Sequence, residues 1–333
     1  MKSLKKLSPT SPLTSGSYLK SYRYFFNSTK IAAAQVTDLF DFVWPTVTAL
    51  WNLRWEVSGY LYQRGEDVTK EELNKKFVND EKFIRPNLYR SCIEFEWDDQ
   101  KEQFAKVVLI NLFAYHESWI ENLLSELDKN TKPRLKGLQF PSTGSNNGVQ
   151  EILTELLTNT SPALTNAFYS TYASNKKFSL SKINNLLLCY RYFKECRNSL
   201  MHCGGFADQK LVEASNLYDS LSASDLNMKV KPEYVKFSLS DRVELKIQGV
   251  VGFTDIILQI ITSIDAELLK MKKAEDVFIG RLKNFTNNKT MGIDKLPKGK
   301  EKALRSIIQQ SGFSKPSQLD ELENLMKANH VIK

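Results

Sequence analysis

Cysteine is scarce in this chain, and what is missing around it excludes several chemistries. The 333 residues hold four cysteines, Cys92, Cys189, Cys196 and Cys203, with no CxxC pair. Three of them recur every seven residues along one predicted helix, which makes a seam and not a tetrahedral metal site. They read as small buried hydrophobes in a chain suited to a reducing compartment. Histidine is scarcer still, at three residues. His116 reads as a packing residue and His330 lies in the terminal tail, where nothing around it suggests chemistry. Walker loops, dinucleotide fingerprints, HExxH and zinc-finger spacings are all lacking. So is any charge-free apolar run of about 20 residues: 31–53 carries Asp38, Asp41 and Pro45, and 250–269 carries Asp255 and Asp265. No membrane span is expected. The first thirty residues have no acid and no apolar core of a signal sequence, which argues against secretion and for a cytoplasmic protein. That basic, Ser-rich start fits a flexible arm and an organellar transit peptide equally well.

The net charge of +8 sits at the ends. Lysines and arginines against acids number 6 to 0 over residues 1–30, 14 to 8 over 267–333, and 26 to 30 between them. Basic ends suit capture of a polyanion such as RNA, although such tails are commonly just solvated. The body lacks the broad basic field of a general nucleic-acid binder.

Periodicity points to a mainly all-α chain. The expected organisation is a flexible arm over 1–30, an N-terminal helical extension over 31–97, a helical domain over 98–275 and a small basic helical module over 281–333. Trp44, Trp51 and Trp55 have the spacing of a packed helical stripe. A long helix is predicted from Gln103 to Leu127, with Asp98 and Asp99 just before it and Glu117 interrupting its apolar stripe. A Gly-, Ser- and Pro-bearing connection follows from Lys132 to Gly148. The alternation in Tyr234–Leu239 and Val243–Ile247 predicts a small β-hairpin excursion, and 250–272 a helix that closes the bundle.

The run Arg197-Asn198-Ser199-Leu200-Met201-His202, followed by Cys203-Gly204-Gly205, ends an amphipathic helix. Ile183, Leu186, Leu187, Tyr190, Arg197 and Met201 fall near one face, with Lys194 interrupting it. A guanidinium on such a stripe, if covered, needs an anion or an opening to solvent. Asn198 lies one turn before His202, close enough for its amide to hold the imidazole. The glycine pair stops the helix. Arg197 and His202 are five residues apart, roughly 140° around the axis, so they converge only through the length of arginine or through pairing of two copies.

This arginine, polar residue, three more residues and histidine at a helix end resembles the signature of the HEPN superfamily over roughly 98–267; the Tyr that some members carry two positions after the histidine is missing. The resemblance implies an all-helical, HEPN-like bundle and an endoribonuclease that works without metal or other cofactor, dimeric through the motif helices. Its partners would be RNA and a regulatory or antitoxin protein, in phage defence or as a regulated toxin. In such a reaction the ribose 2′-oxygen attacks the neighbouring phosphorus, leaving a 2′,3′-cyclic phosphate and a 5′-hydroxyl. His202 suits the proton transfers and Arg197 the charge growing on the phosphate oxygens. Asn198 supports them. Glu117 pairs with Arg197, positions a substrate hydroxyl, or is simply solvated. A non-catalytic HEPN-like module that binds RNA, a nucleotide or a protein is the alternative. In a third reading, a scaffold, Arg197 is an internal ion pair and His202 only a helix cap.

Overall fold

The computed structural model describes residues 23–65, 67–78, 86–127, 136–142, 148–293 and 299–333. Among them the regular structure is helical and no strand occurs. Ten helices carry the architecture: α1 (Asn27–Arg64), α2 (Lys70–Phe77), α3 (Trp97–Leu127), α4 (Val149–Leu156), α5 (Ile183–His202), α6 (Gln209–Asp219), α7 (Ile247–Leu268), α8 (Ala274–Phe285), α9 (Lys300–Gln310) and α10 (Asp320–Ala328). An irregular helical stretch over 162–173 contains a π-helical turn, Thr165–Tyr169.

α7 is the axis of the bundle. Its residues are apolar nearly all round, long enough and apolar enough to cross a membrane by length and composition, and most are buried by α1, α3 and α5. Two glycines near its start make room for neighbours: a Cβ on Gly249 would stand 2.1 Å from the Glu233 carbonyl oxygen, and one on Gly252 3.0 Å from the Pro232 ring. One continuous core runs from Phe25 to Ile332, drawing α9, α10 and Phe313 onto the same bundle. Phe313 packs within 5.2 Å of the Phe25 ring and 5.0 Å of Phe278. A small satellite core, Val57, Leu73, Leu88 and Cys92, lies under the far half of α1.

The first turn of α1 has no side-chain cap of its own. Its orphan N–H groups are satisfied from elsewhere: Phe25 and Phe26 donate to Asp265 on α7 at 2.7 and 3.1 Å. Asn27 and Ser28 donate to Glu126 on α3, both at 3.0 Å. Arg281 closes this joint, donating to the Phe25 carbonyl and to Glu126. Burial holds the Asp265 carboxyl up at about 6 against the pull of those donors.

Three expectations change. The segment expected as a hairpin is extended chain without a ladder. Tyr192 Oη donates to the Val235 carbonyl and accepts from its N–H, and Tyr218 Oη donates to the Pro232 carbonyl, so side chains of α5 and α6 take the bonds a partner strand would have made. Within it Arg242 faces Phe206 in an isolated bridge, flanked by backbone bonds from Ala207 N–H to the Asp241 carbonyl and from Val243 N–H to the Gly205 carbonyl, both at 2.8 Å. The tryptophans at 44, 51 and 55 are exposed, because the buried face of α1 is Ala32, Val36, Leu39 and Val43 and then Val57. The helix placed at Gln103 begins six residues earlier, at Trp97, taking Asp98 and Asp99 into its first turn. Residues 1–22 of the predicted arm, and most of the connection from Lys132 to Gly148, lie outside the described residues.

Candidate functional site

α5 is a core helix for most of its length. Ile183, Leu186, Leu187, Cys189, Tyr190, Phe193 and Cys196 are buried, and the chain turns polar only in the last two turns. There Arg197 leans across the groove onto α3. Its Nη2 reaches both Glu117 oxygens, at 3.4 and 3.5 Å, longer than the ~2.7–2.9 Å of a tight charge-assisted bond. The guanidinium stands 5.8 Å from the Phe113 ring and its side chain is 23% exposed, so it is partly sheltered while one edge stays open to water. The carboxylate that interrupts the apolar stripe of α3 thus meets the guanidinium carried on the stripe of α5.

Asn198 does not reach forward to His202. It accepts from Arg197 Nη1 at 3.2 Å and donates to Glu195 at 3.2 Å, forming a chain from Glu117 through Arg197 and Asn198 to Glu195. Glu195 was not singled out from the sequence; its place one turn before Asn198 was the available signal. Among the described residues His202 has no hydrogen-bond partner and is exposed. α5 ends just beyond it: the N–H groups of Cys203 and Gly205 both donate to the Ser199 carbonyl, at 3.0 Å each, and Gly204 and Gly205 adopt φ of +65° and +85°. Both glycines take the left-handed conformation that a side chain resists. Arg197 and His202 therefore diverge within one chain, as five residues of helix require, and share no hydrogen bond. Met201 and Phe206, 55% and 54% exposed, flank the histidine.

A sheltered polar cluster lies below Arg197. Tyr190 Oη is buried without a partner, its acidity suppressed by burial and by the Glu117 carboxylate, against the opposing pull of Arg197. His116 is completely buried between Tyr190 and Trp119, ring centroids 4.7 and 5.3 Å away, with both nitrogens unpartnered. Burial, helped by the charge of Lys194, pushes its pKa down to about 3, so the ring is neutral and unavailable as an acid. It packs, as the sequence suggests. Of the seam cysteines, Cys189 and Cys196 are buried, the former thiol pushed up to about 12 by burial, while Cys203 is exposed beside His202.

Two clefts open elsewhere on the described surface, and neither includes Arg197 or His202. One of about 640 Å³ lies between the start of α7 and 227–233, with Lys176, Lys229 and Lys231 at its rim. The other, about 420 Å³, separates α9 from α10. Among the described residues no group of His, Cys, Asp and Glu has the arrangement of a metal site. Compared with protein-family models, with curated proteins and with solved structures, the chain matches none.

Proposed function

We propose that the chain is a HEPN-like, metal-independent endoribonuclease whose site is completed by pairing two copies through the ends of α5. The observation that carries the reading is the local chemistry of that end. A half-sheltered arginine is held by a loose carboxylate pair, and five residues later an exposed histidine without a partner stands at a glycine-terminated helix end. A phosphate is a stronger bidentate partner for Arg197 than Glu117 at 3.4 Å, and Glu117 keeps the guanidinium aimed until one arrives. Exposed Met201 and Phe206 supply apolar surface for the second copy, which brings a second His202 toward the first Arg197. His202 then serves as base for the 2′-hydroxyl or acid for the 5′-oxygen, and Arg197 steadies the charge on the phosphate. Regulation by a neutralising protein, in defence or as a toxin, belongs to the same reading.

The test is incubation of the full chain with total RNA in EDTA, beside folded Arg197→Ala and His202→Ala proteins. Cleavage by the parent alone, with 2′,3′-cyclic ends, supports the site; cleavage that persists in both variants removes it. A non-catalytic binding module is the second reading, favoured by the Arg197–Glu117 ion pair, which gives the guanidinium a structural duty. RNA retained intact by the parent, with retention lost in Arg197→Ala, selects it.

A further inference from the structure

α1 carries an open seam. Residues 41, 44, 48, 51, 55, 58 and 62 follow one another at alternating steps of three and four, the spacing that keeps one stripe of a helix facing a partner helix. They are Asp41, Trp44, Thr48, Trp51, Trp55, Ser58 and Tyr62. The stripe is turned away from the bundle, with Trp44, Trp51, Trp55 and Tyr62 exposed by 44, 38, 65 and 93%. Trp51 is braced by Trp55 and Trp97, ring centroids 5.8 and 4.9 Å away, so the rings form an ordered platform. Four exposed aromatics along one helix stripe mark a contact surface.

We propose that this seam pairs with the same seam of a second copy, antiparallel and centred at the level of Leu53. In that register Trp44 faces Tyr62, Thr48 faces Ser58 and Trp51 faces Trp55, then the same layers repeat in reverse. Every large ring meets a ring, and the small polar residues meet each other. Charge selects the direction. Asp38 and Asp41 lie at one end of the seam and Arg64 at the other, none of them in an ion pair among the described residues. Antiparallel pairing brings opposite charges together, whereas parallel pairing stacks like charges.

Each of the four side chains offers roughly 150–250 Å² in full. At the exposures above, two copies cover on the order of 1,000 Å², where specific interfaces begin. Other occupants fit less well. Arg54, beside the rings, spends its guanidinium on the Ser91 and Phe95 carbonyls and Gln100. Exposed Glu56 follows Trp55 directly and exposed Glu94 and Glu96 lie just before Trp97, and these carboxylates disfavour RNA and an anionic membrane alike.

Sedimentation of the full chain at micromolar concentration tests the proposal. An even number of chains per particle is expected. Trp55→Glu combined with Tyr62→Glu, with helix content and melting unchanged, is expected to weaken that association by at least ~100-fold. Direction is read by disulfide formation in a Cys203→Ser background: Thr48→Cys and Ser58→Cys chains cross-link when mixed, and neither does so alone. A monomeric parent overturns the proposal. So does an assembly that survives the Trp55/Tyr62 variant but falls apart in Met201→Glu, and so does a monomer that binds vesicles or RNA through Trp55. Cross-linking of Thr48→Cys to itself overturns the antiparallel register.

Discussion

His116 provides a measurement whose size follows from its surroundings. Its imidazole is enclosed by Tyr190 and Trp119, faces the charge of Lys194, and has a pKa near 3. In the unfolded chain the same group titrates at 6.5, its ordinary value. Below pH 6.5 the unfolded chain takes up a proton that the folded chain refuses, so stability falls with pH from 6.5 down to about 3 and not beyond. At about 1.4 kcal/mol per pH unit below the unfolded value, the loss accumulated from pH 7.5 to 4.5 is about 3 kcal/mol. His116→Phe keeps a ring in the same aromatic setting and removes two buried nitrogens without partners, so its stability at pH 7.5 should equal or exceed the parent's. Urea unfolding of both proteins at half-unit intervals from pH 7.5 to 4.5 isolates the effect, because Asp265 and Glu126 titrate identically in each. The two curves should separate by about 3 kcal/mol at the acid end. Parallel curves would refute the reasoning, for they would mean that the imidazole reaches water or a carboxylate when protonated.

Other outcomes follow from the same contacts. Glu126→Ala leaves Arg281 sheltered without its carboxylate and the Asn27 and Ser28 N–H groups unmet, and should cost about 3–5 kcal/mol in thermal or urea unfolding. Because its partners hold the Glu126 carboxyl below its ordinary 4.5, the part of its stabilisation that depends on ionisation is present above pH 4.5 and is lost as pH falls through the folded value, a pH dependence the Ala variant should no longer show. Gly249→Ala drives a methyl into the Glu233 carbonyl and should destabilise by about 1–3 kcal/mol, whereas Gly59→Ala, with open space around it, should be neutral or stabilising. In the RNA assay Arg197→Lys should lose roughly a hundredfold in rate despite keeping its charge, since an ammonium cannot fork onto a phosphate; activity near the parent's would remove bidentate contact from the mechanism.

The sequence shows its helices where local chemistry marks their ends. The last turn of α5 is legible in Gly204-Gly205, because a glycine cap acts within one turn, whereas Asp98 and Asp99, read as preceding α3, lie inside its first turn. The meeting of Glu117 and Arg197 is one of the alternatives the sequence leaves open, since a guanidinium on the apolar stripe of α5 needs an anion or water and Glu117 interrupts the stripe of α3. The bond from Asn198 to His202 is not made: helical spacing allows it, but the Arg197 and Glu195 side chains are nearer competitors for the amide. Alternation over 234–247 cannot separate a strand in a ladder from extended chain laid on two tyrosines, as both turn alternate residues inward; Phe237, Val243, Leu245 and Ile247 are buried here, whereas Leu239 is exposed. The same ambiguity hides the exposure of Trp44, Trp51 and Trp55. A stripe at heptad spacing says that a helix has a partner, without saying that the partner lies in the same chain.

The borrowed cap on α1 sets an order of events during synthesis. Four consecutive N–H groups at the start of that helix wait for carboxylates at positions 126 and 265, and for the guanidinium at 281 that ties them. At about 5–20 residues per second, a ribosome needs roughly 13–50 s to pass from residue 28 to residue 281. Glu126 follows Asn27 by 99 residues and Asp265 follows Phe25 by 240, so the cap is completed only when most of the chain has been made.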